Sequence, residues 1–267
     1  METNKKQYDN FFYEGNRCKK KTDSVDIVLT EAFKVLPQIN SVVDFGCATG
    51  TWLASLQKYG VKEIKGLDGS WVKKDLLVIP PECFVEADFD KEIVLDKKYD
   101  LAISIEVAEH LLEKSAKGFV KALTDASDII LFSAAIPFQG GDNHVNEQWP
   151  AYWNKLFNEN GFIAVDCLRK YLWDKMDVLD FHRQNILLYV RKDKKEEIKA
   201  PEGDFCIDYA PIPMVDHVRY LKMIKNDLSQ MSLFRIIINA NKWMIVRLLG
   251  KEFCKSVYYK YFKKSDF

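Results

Sequence analysis

The sequence has no CxxC pair, no excess charge of either sign, no apolar run of membrane-spanning length and no internal repeat or low-complexity tract. Its six cysteines, at 18, 47, 83, 167, 206 and 254, are scattered, which fits reduced thiols in a cytosolic protein rather than a disulfide framework. The 39 basic and 39 acidic side chains cancel. No electrostatic pull toward nucleic acid results, and no nucleic acid partner is expected. The opening stretch, METNKKQYDNFF, carries no apolar signal segment, so the expected location is the cytoplasm. What the chain does have is 48% hydrophobic and 13% aromatic residues in a length of 267. That is enough to bury a core in one large domain, or in one domain with an appendage.

Strand-like and helix-like runs alternate from about residue 25 to 192. Strands are expected at 41–45, 63–67, 83–87, 99–105, 128–133, 162–167 and 185–191, and helices at 25–36, 51–59, 113–126 and 150–160. Such alternation implies an α/β fold, a mostly parallel sheet of seven strands with helices on both faces. The last two strands have no long helix between them and are expected to pair antiparallel at an edge. After Arg191 the composition shifts. KDKKEEIKAPEGD is charged and contains Pro201 and Gly203, as a linker would. The expected organisation is a domain over 1–195 and a linker with a helical appendage over 196–267.

The most informative stretch is SVVDFGCATGTWLASL, residues 41–56. Apolar β-formers run into Asp44, then a small-residue turn, then a helix start. Gly46 and Gly50 let the backbone approach a ligand without a Cβ in the way. A dinucleotide-binding turn would show a tighter G-x-G-x-x-G, which is absent. Three later strands also end on acids: IKGLDGS at Asp68, FVEADFD at Asp88 and YDLAISIEVAEHL at Glu106. In this order the four segments resemble the Rossmann-like class I S-adenosylmethionine-dependent methyltransferases, over roughly residues 25–192. The resemblance implies that Asp44, Gly46, Cys47, Ala48 and Gly50 surround the methionine and ribose parts of S-adenosylmethionine. It implies that Asp68 and Gly69 hold the ribose hydroxyls, that Asp88 accepts from the adenine amino group beside Phe89, and that Glu106, at the active-site lip, both contacts the cofactor and serves catalysis.

FSAAIPFQGGDNHVNEQWPAYWNKLF, residues 132–157, resembles a bacterial subgroup found among sugar and surface-polysaccharide biosynthesis enzymes. This implies an O-methyltransferase with a small glycosyl acceptor. The polar loop 139–146 follows the fifth strand at the edge where open α/β sheets form their crevice, and its side chains can hydrogen-bond several hydroxyls. An Asn/Asp-Pro-Pro-aromatic signature of amine-methylating enzymes is absent; Glu-Val-Ala-Glu stands in its place.

A sugar hydroxyl is a poor nucleophile and needs a base or a metal. Glu106, Glu109 and His110 share one face if a helix begins near Glu106, and His144 comes from the neighbouring loop. Together they could ligate Mg²⁺ or Mn²⁺, an arrangement similar to that of small-RNA 2′-O-methyltransferases. Equally, Glu-x-x-Glu-His can serve as a helix-start device without metal, with His144 or His110 as general base. Elsewhere, Trp149, Tyr152 and Trp153 could stack on a sugar or pack in the core. Arg183 and Gln184 could meet a substrate anion, though a surface ion pair is the commoner fate of such an Arg. His182 reads as structural. Tyr8, Phe12 and Tyr13 could form a lid over the cofactor.

Residues 242–264 carry seven basic residues and one acid among large apolar groups. They could pack on the core, dimerise, or touch an anionic membrane surface peripherally. The expected activity is methyl transfer to a hydroxyl of a sugar or nucleotide-linked sugar in surface-polysaccharide biosynthesis. The alternatives are a phenolic or carboxylate acceptor, or a non-catalytic cofactor-binding scaffold.

Overall fold

The computed structural model describes residues 16–199, 206–207, 211, 213–217 and 220. The expected lid residues Tyr8, Phe12 and Tyr13 and the basic stretch 242–264 lie outside the described residues. The chain divides into two units, Met1–Arg219 and Tyr220–Phe267. The sheet belongs to the first.

The strands are β1 (Ser41–Phe45), β2 (Glu63–Asp68), β3 (Phe84–Glu86), β4 (Leu101–Ile105), β5 (Ile129–Ser133), β6 (Phe162–Val165), β7 (Leu187–Arg191) and β8 (Cys206–Ile207). Their spatial order is β3-β2-β1-β4-β5-β7-β6-β8. The first five neighbours are parallel, whereas β7 runs antiparallel to both β5 and β6. The expected seven-stranded, mostly parallel sheet with an antiparallel strand near one edge is therefore present. A two-residue β8 extends it by pairing with β6, beyond the residue 195 at which the sequence sets the end of the core. Two residues just past a charged, proline-containing stretch give no periodicity to read.

The main helices are α1 (Asn16–Val35), α2 (Thr51–Lys58), α3 (Glu113–Ala126) and α4 (Pro150–Glu159), with short turns of helix at α5 (Arg169–Leu172) and α6 (Asp180–Asn185). Strand alternation sends side chains to opposite faces. Val42, Leu101, Ile103 and Leu131 pack on one face with Leu29 of α1 and Leu53 and Leu56 of α2. Val43, Phe45, Ala102 and Phe132 pack on the other with Phe119 and Leu123 of α3 and Phe157 of α4. Both faces of the central strands are thus dry, as an apolar run such as β5 (IILFS) requires. Among the described residues no helix is long and apolar enough to cross a membrane.

The strand order reverses between β1 and β4, and that switch point opens a crevice at the carboxyl ends of the parallel strands.

Candidate active site

A cleft of about 400 Å³ occupies this crevice. Its wall includes Gly46, Cys47, Ala48, Asp68, Asp88, Phe89, Glu106, Glu109, His110 and His144. Asp44, Gly50 and Gly69 do not line it; Asp44 lies beneath, only 2% exposed.

The turn after β1 is locked to β2. The amides of Gly46 and Cys47 both donate to the Leu67 carbonyl, at 2.8 and 3.1 Å. Gly46 has φ 93°, and a Cβ there would lie 2.3 Å from a Val107 methyl. Glycine is needed on both counts. Asp68 accepts from the Ala48 amide at 2.8 Å and from the Gly69 amide at 2.7 Å, so it braces the glycine turn as well as facing the cleft. Burial, with Asp44 and Asp68 nearby, pushes the Cys47 thiol well up and leaves it unreactive. Phe89 reaches the cleft but is mainly core, with its ring centre 5.3 Å from that of Phe119. Asp88 is half-exposed and pairs with Lys91 at 3.2 Å.

The lip after β4 departs from the expected helix. Glu106 adopts φ 56°, a left-handed conformation that no helix continues. Only a turn of 3₁₀-helix, Ala108–His110, follows, and α3 begins at Glu113. Glu106 is consequently not among the ligand atoms that converge with Glu109 and His110. Its carboxylate oxygens accept from Gln139 Nε2 at 2.6 Å and Asn185 Nδ2 at 3.0 Å. Of the four expected metal ligands, three come together: ligand atoms of Glu109, His110 and His144 lie within 4.8 Å of one another.

Glu109 is completely buried, and neither carboxylate oxygen has a hydrogen-bond partner. Burial, and secondarily Glu106, holds its carboxyl well above the usual range. Burial and then the neighbouring His144 pull His110 down to about 4, so its imidazole is neutral at physiological pH.

His144 arrives on the loop between β5 and α4. The Val145 and Asn146 amides donate to the Glu109 carbonyl at 2.9 and 3.0 Å, tying this loop to the lip. His144 Nδ1 lies 2.9 Å from Glu147 Oε1, and Nε2 lies 4.0 Å from Glu109 Oε1. With a side chain 12% exposed, it is a wall of the cleft rather than a loop-tip group. Glu147 is a site residue that sequence reasoning missed; its one signal was the i, i+3 spacing from His144. Gln139 belongs to the polar loop expected to meet the acceptor, but its hold on Glu106, shared with Asn185, has no signal in the sequence, because these contacts span 33 and 79 residues.

The remaining candidates sort clearly. Arg183 is neither a substrate ligand nor a surface ion pair: it is 2% exposed and pairs with buried Asp216 at 2.6 Å. Gln184 is buried too, and its side-chain oxygen accepts from the Asp216 amide. His182 is buried against Ser24 at 2.9 Å, with its ring edge-on to Trp52, and it also lines the cleft. Trp153 is core, while Trp149 is 41% exposed.

Strand order 3-2-1-4-5-7-6 with one antiparallel strand, a glycine turn after β1 and acids at the strand ends now stand together, and residues 20–133 match the family described as Methyltransferase domain. The fold is Rossmann-like, and over that segment, less than half of the chain, it is similar to methyltransferase domains. The match stops at the last residue of β5, so the loop carrying His144 and Glu147 lies outside it. No curated protein matches the sequence. Among solved structures, the chain is similar to DesVI of Streptomyces venezuelae, at 13% identity over 68% of this chain and 95% of that chain, with TM-score 0.49. It is similar to the magnesium protoporphyrin IX methyltransferase of Synechocystis with bound SAM, at 22% identity over 67% and 85%, TM-score 0.45. The methyltransferase domain of bacterial CtHen1-C aligns at 17% identity over 64% and 97%, TM-score 0.45.

Proposed function

We propose that this protein is an S-adenosylmethionine-dependent O-methyltransferase. Its proposed acceptor is a hydroxyl of a sugar or nucleotide-linked sugar, in the biosynthesis of a surface polysaccharide. One observation carries the reading: a single cleft joins Asp68 and Asp88 to the Glu109–His110–His144 cluster. Asp142 and His144 in the wall of that cleft support a hydroxylated acceptor. A completely buried acidic side chain is costly to fold, which speaks against a non-catalytic scaffold.

S-adenosylmethionine supplies an electrophilic methyl group on sulfur. Asp68 accepts from the ribose hydroxyls while keeping the turn in place. Asp88 accepts from the adenine amino group, with Phe89 beside the ring. The polar loop would orient the acceptor so that its oxygen faces the methyl group. His144 Nε2 takes the hydroxyl proton, the role for which neutral His110 lacks basicity.

The cluster also fits a divalent cation, since two imidazoles and a buried carboxylate bring their ligand atoms within 4.8 Å of one another. Glu109, His110 and His144 would hold it, without Glu106. Of Mg²⁺ and Mn²⁺, the imidazoles favour Mn²⁺. Such an ion would acidify a coordinated hydroxyl. Exposed Phe138 and Val145 on the same loop favour a second reading, an acceptor with a phenolic part. Release of S-adenosylhomocysteine is the deciding measurement, made with a panel of nucleotide sugars and phenols, with and without Mn²⁺. Turnover confined to phenols would overturn the glycosyl acceptor, and no turnover with any acceptor would overturn the activity.

A further inference from the structure

We propose that Glu147 is the positioning residue of this site, fixing His144 in its Nδ1–H tautomer so that Nε2 is the nitrogen presented to the cleft. Only the catalytic meaning of Nε2 rests on the methyl-transfer reading; the tautomer rests on the geometry alone.

A carboxylate accepts hydrogen bonds and cannot donate them. Glu147 Oε1 lies 2.9 Å from His144 Nδ1, so a neutral imidazole bonds there only with its proton on Nδ1. The lone pair is then on Nε2, the atom 4.0 Å from Glu109. Glu147 is not free to turn away. Oε1 also accepts from the Gly140 amide at 2.8 Å, and Oε2 accepts from the Phe138 amide at 2.7 Å. Three donors from one loop converge on a single carboxylate.

The loop is built around this contact. Phe138, Gly140 and Asn143 have φ of 67°, 69° and 60°, and the first and last are strained for side-chain-bearing residues. The Glu147 carboxylate pins two of these three backbones. At Gly141, a Cβ would lie 2.2 Å from His144 Nε2, so only glycine leaves room for the ring in this orientation. The same carboxylate therefore closes the loop and sets the imidazole, as a carboxylate behind a metal-binding or general-base histidine does.

A long-range ¹H–¹⁵N correlation spectrum reads the tautomer directly, with His144 assigned by the signal lost in His144→Gln. It is recorded at a pH where the imidazole is neutral. The expected result is Nδ1 protonated and Nε2 bare in the wild type, with a shift toward Nε2–H in Glu147→Ala. Glu147→Gln, which can still offer an oxygen to Nδ1, should retain more of the wild-type tautomer. With an acceptor that turns over, kcat of Glu147→Ala should fall about 10- to 100-fold at unchanged KM for S-adenosylmethionine. A wild-type spectrum showing the Nε2–H form would overturn the proposal, whether or not any variant folds. So would a Glu147→Ala protein that keeps the wild-type tautomer. A tautomer shift in a protein that methylates nothing would uphold the positioning role and overturn the methyl-transfer reading instead.

Discussion

The imidazoles of His110 and His144 meet edge to face, ring centres 4.8 Å apart and planes at 90°. One ring follows β4 and the other follows β5, and these strands are parallel neighbours. The pair exists because both strands deliver their following loops to the same edge of the sheet.

Removing His144 should harm chemistry more than binding. As a base it contributes roughly 10²- to 10⁴-fold to the rate. His144→Ala should therefore lower kcat by about that factor with little change in KM for S-adenosylmethionine. Single-turnover rates compared with melting temperatures test this. A variant that melts early yet turns over at the wild-type rate would assign His144 to loop stability alone.

Glu109 should reveal itself through stability. Its folded carboxyl titrates well above 4.5, so the folded protein is favoured when this group is protonated. That advantage is lost as pH rises and the unfolded chain ionises first. Glu109→Gln should thus raise the melting temperature at pH 8 more than at pH 5. Mn²⁺ should raise the melting temperature of the wild type and not of Glu109→Gln. An equal response in both proteins would exclude Glu109 as a ligand.

His110 carries the opposite sign. Its folded pKa is lowered from 6.5 to about 4, so the unfolded chain binds the proton first as pH falls. Its contribution is complete above about 6.5 and is lost between there and about 4. Denaturant midpoints of His110→Gln should decline less steeply over that window than those of the wild type; parallel curves would contradict the assignment.

Asp68 should matter twice. Asp68→Ala removes the acceptor for the Ala48 and Gly69 amides as well as the expected ribose ligand. Affinity for S-adenosylmethionine should fall at least about tenfold, or 1.4 kcal/mol. Calorimetric titration of a folded variant with unchanged affinity would rule out the ribose contact.

Gly46→Ala should destabilise the fold by about 1–3 kcal/mol from the left-handed φ alone, and further from the contact with Val107. Adding Val107→Ala should recover the second part and not the first. Urea midpoints of the single and double variants measure the split.

The sequence by itself determined the sheet and its ligand-facing edge. Apolar β-forming runs that end on acids, with helices between several of them, leave few ways to arrange a parallel sheet, and a glycine turn after the first strand marks the crevice. These signals are local, carried by residues within one strand and its following turn. The partners of the acids and histidines were decided only in three dimensions. The left-handed backbone of Glu106 cancels the helix that Glu-x-x-Glu-His suggests, so Glu106 leaves the cluster for Gln139 and Asn185. Arg183 pairs inward with Asp216 because its short helix packs beneath the surface. His144 meets Glu109 and His110 because β5 lies beside β4, although 34 residues separate His110 from His144 in the chain. Hydrogen-bond partners so far apart leave no periodicity in the sequence, and packing alone selects them.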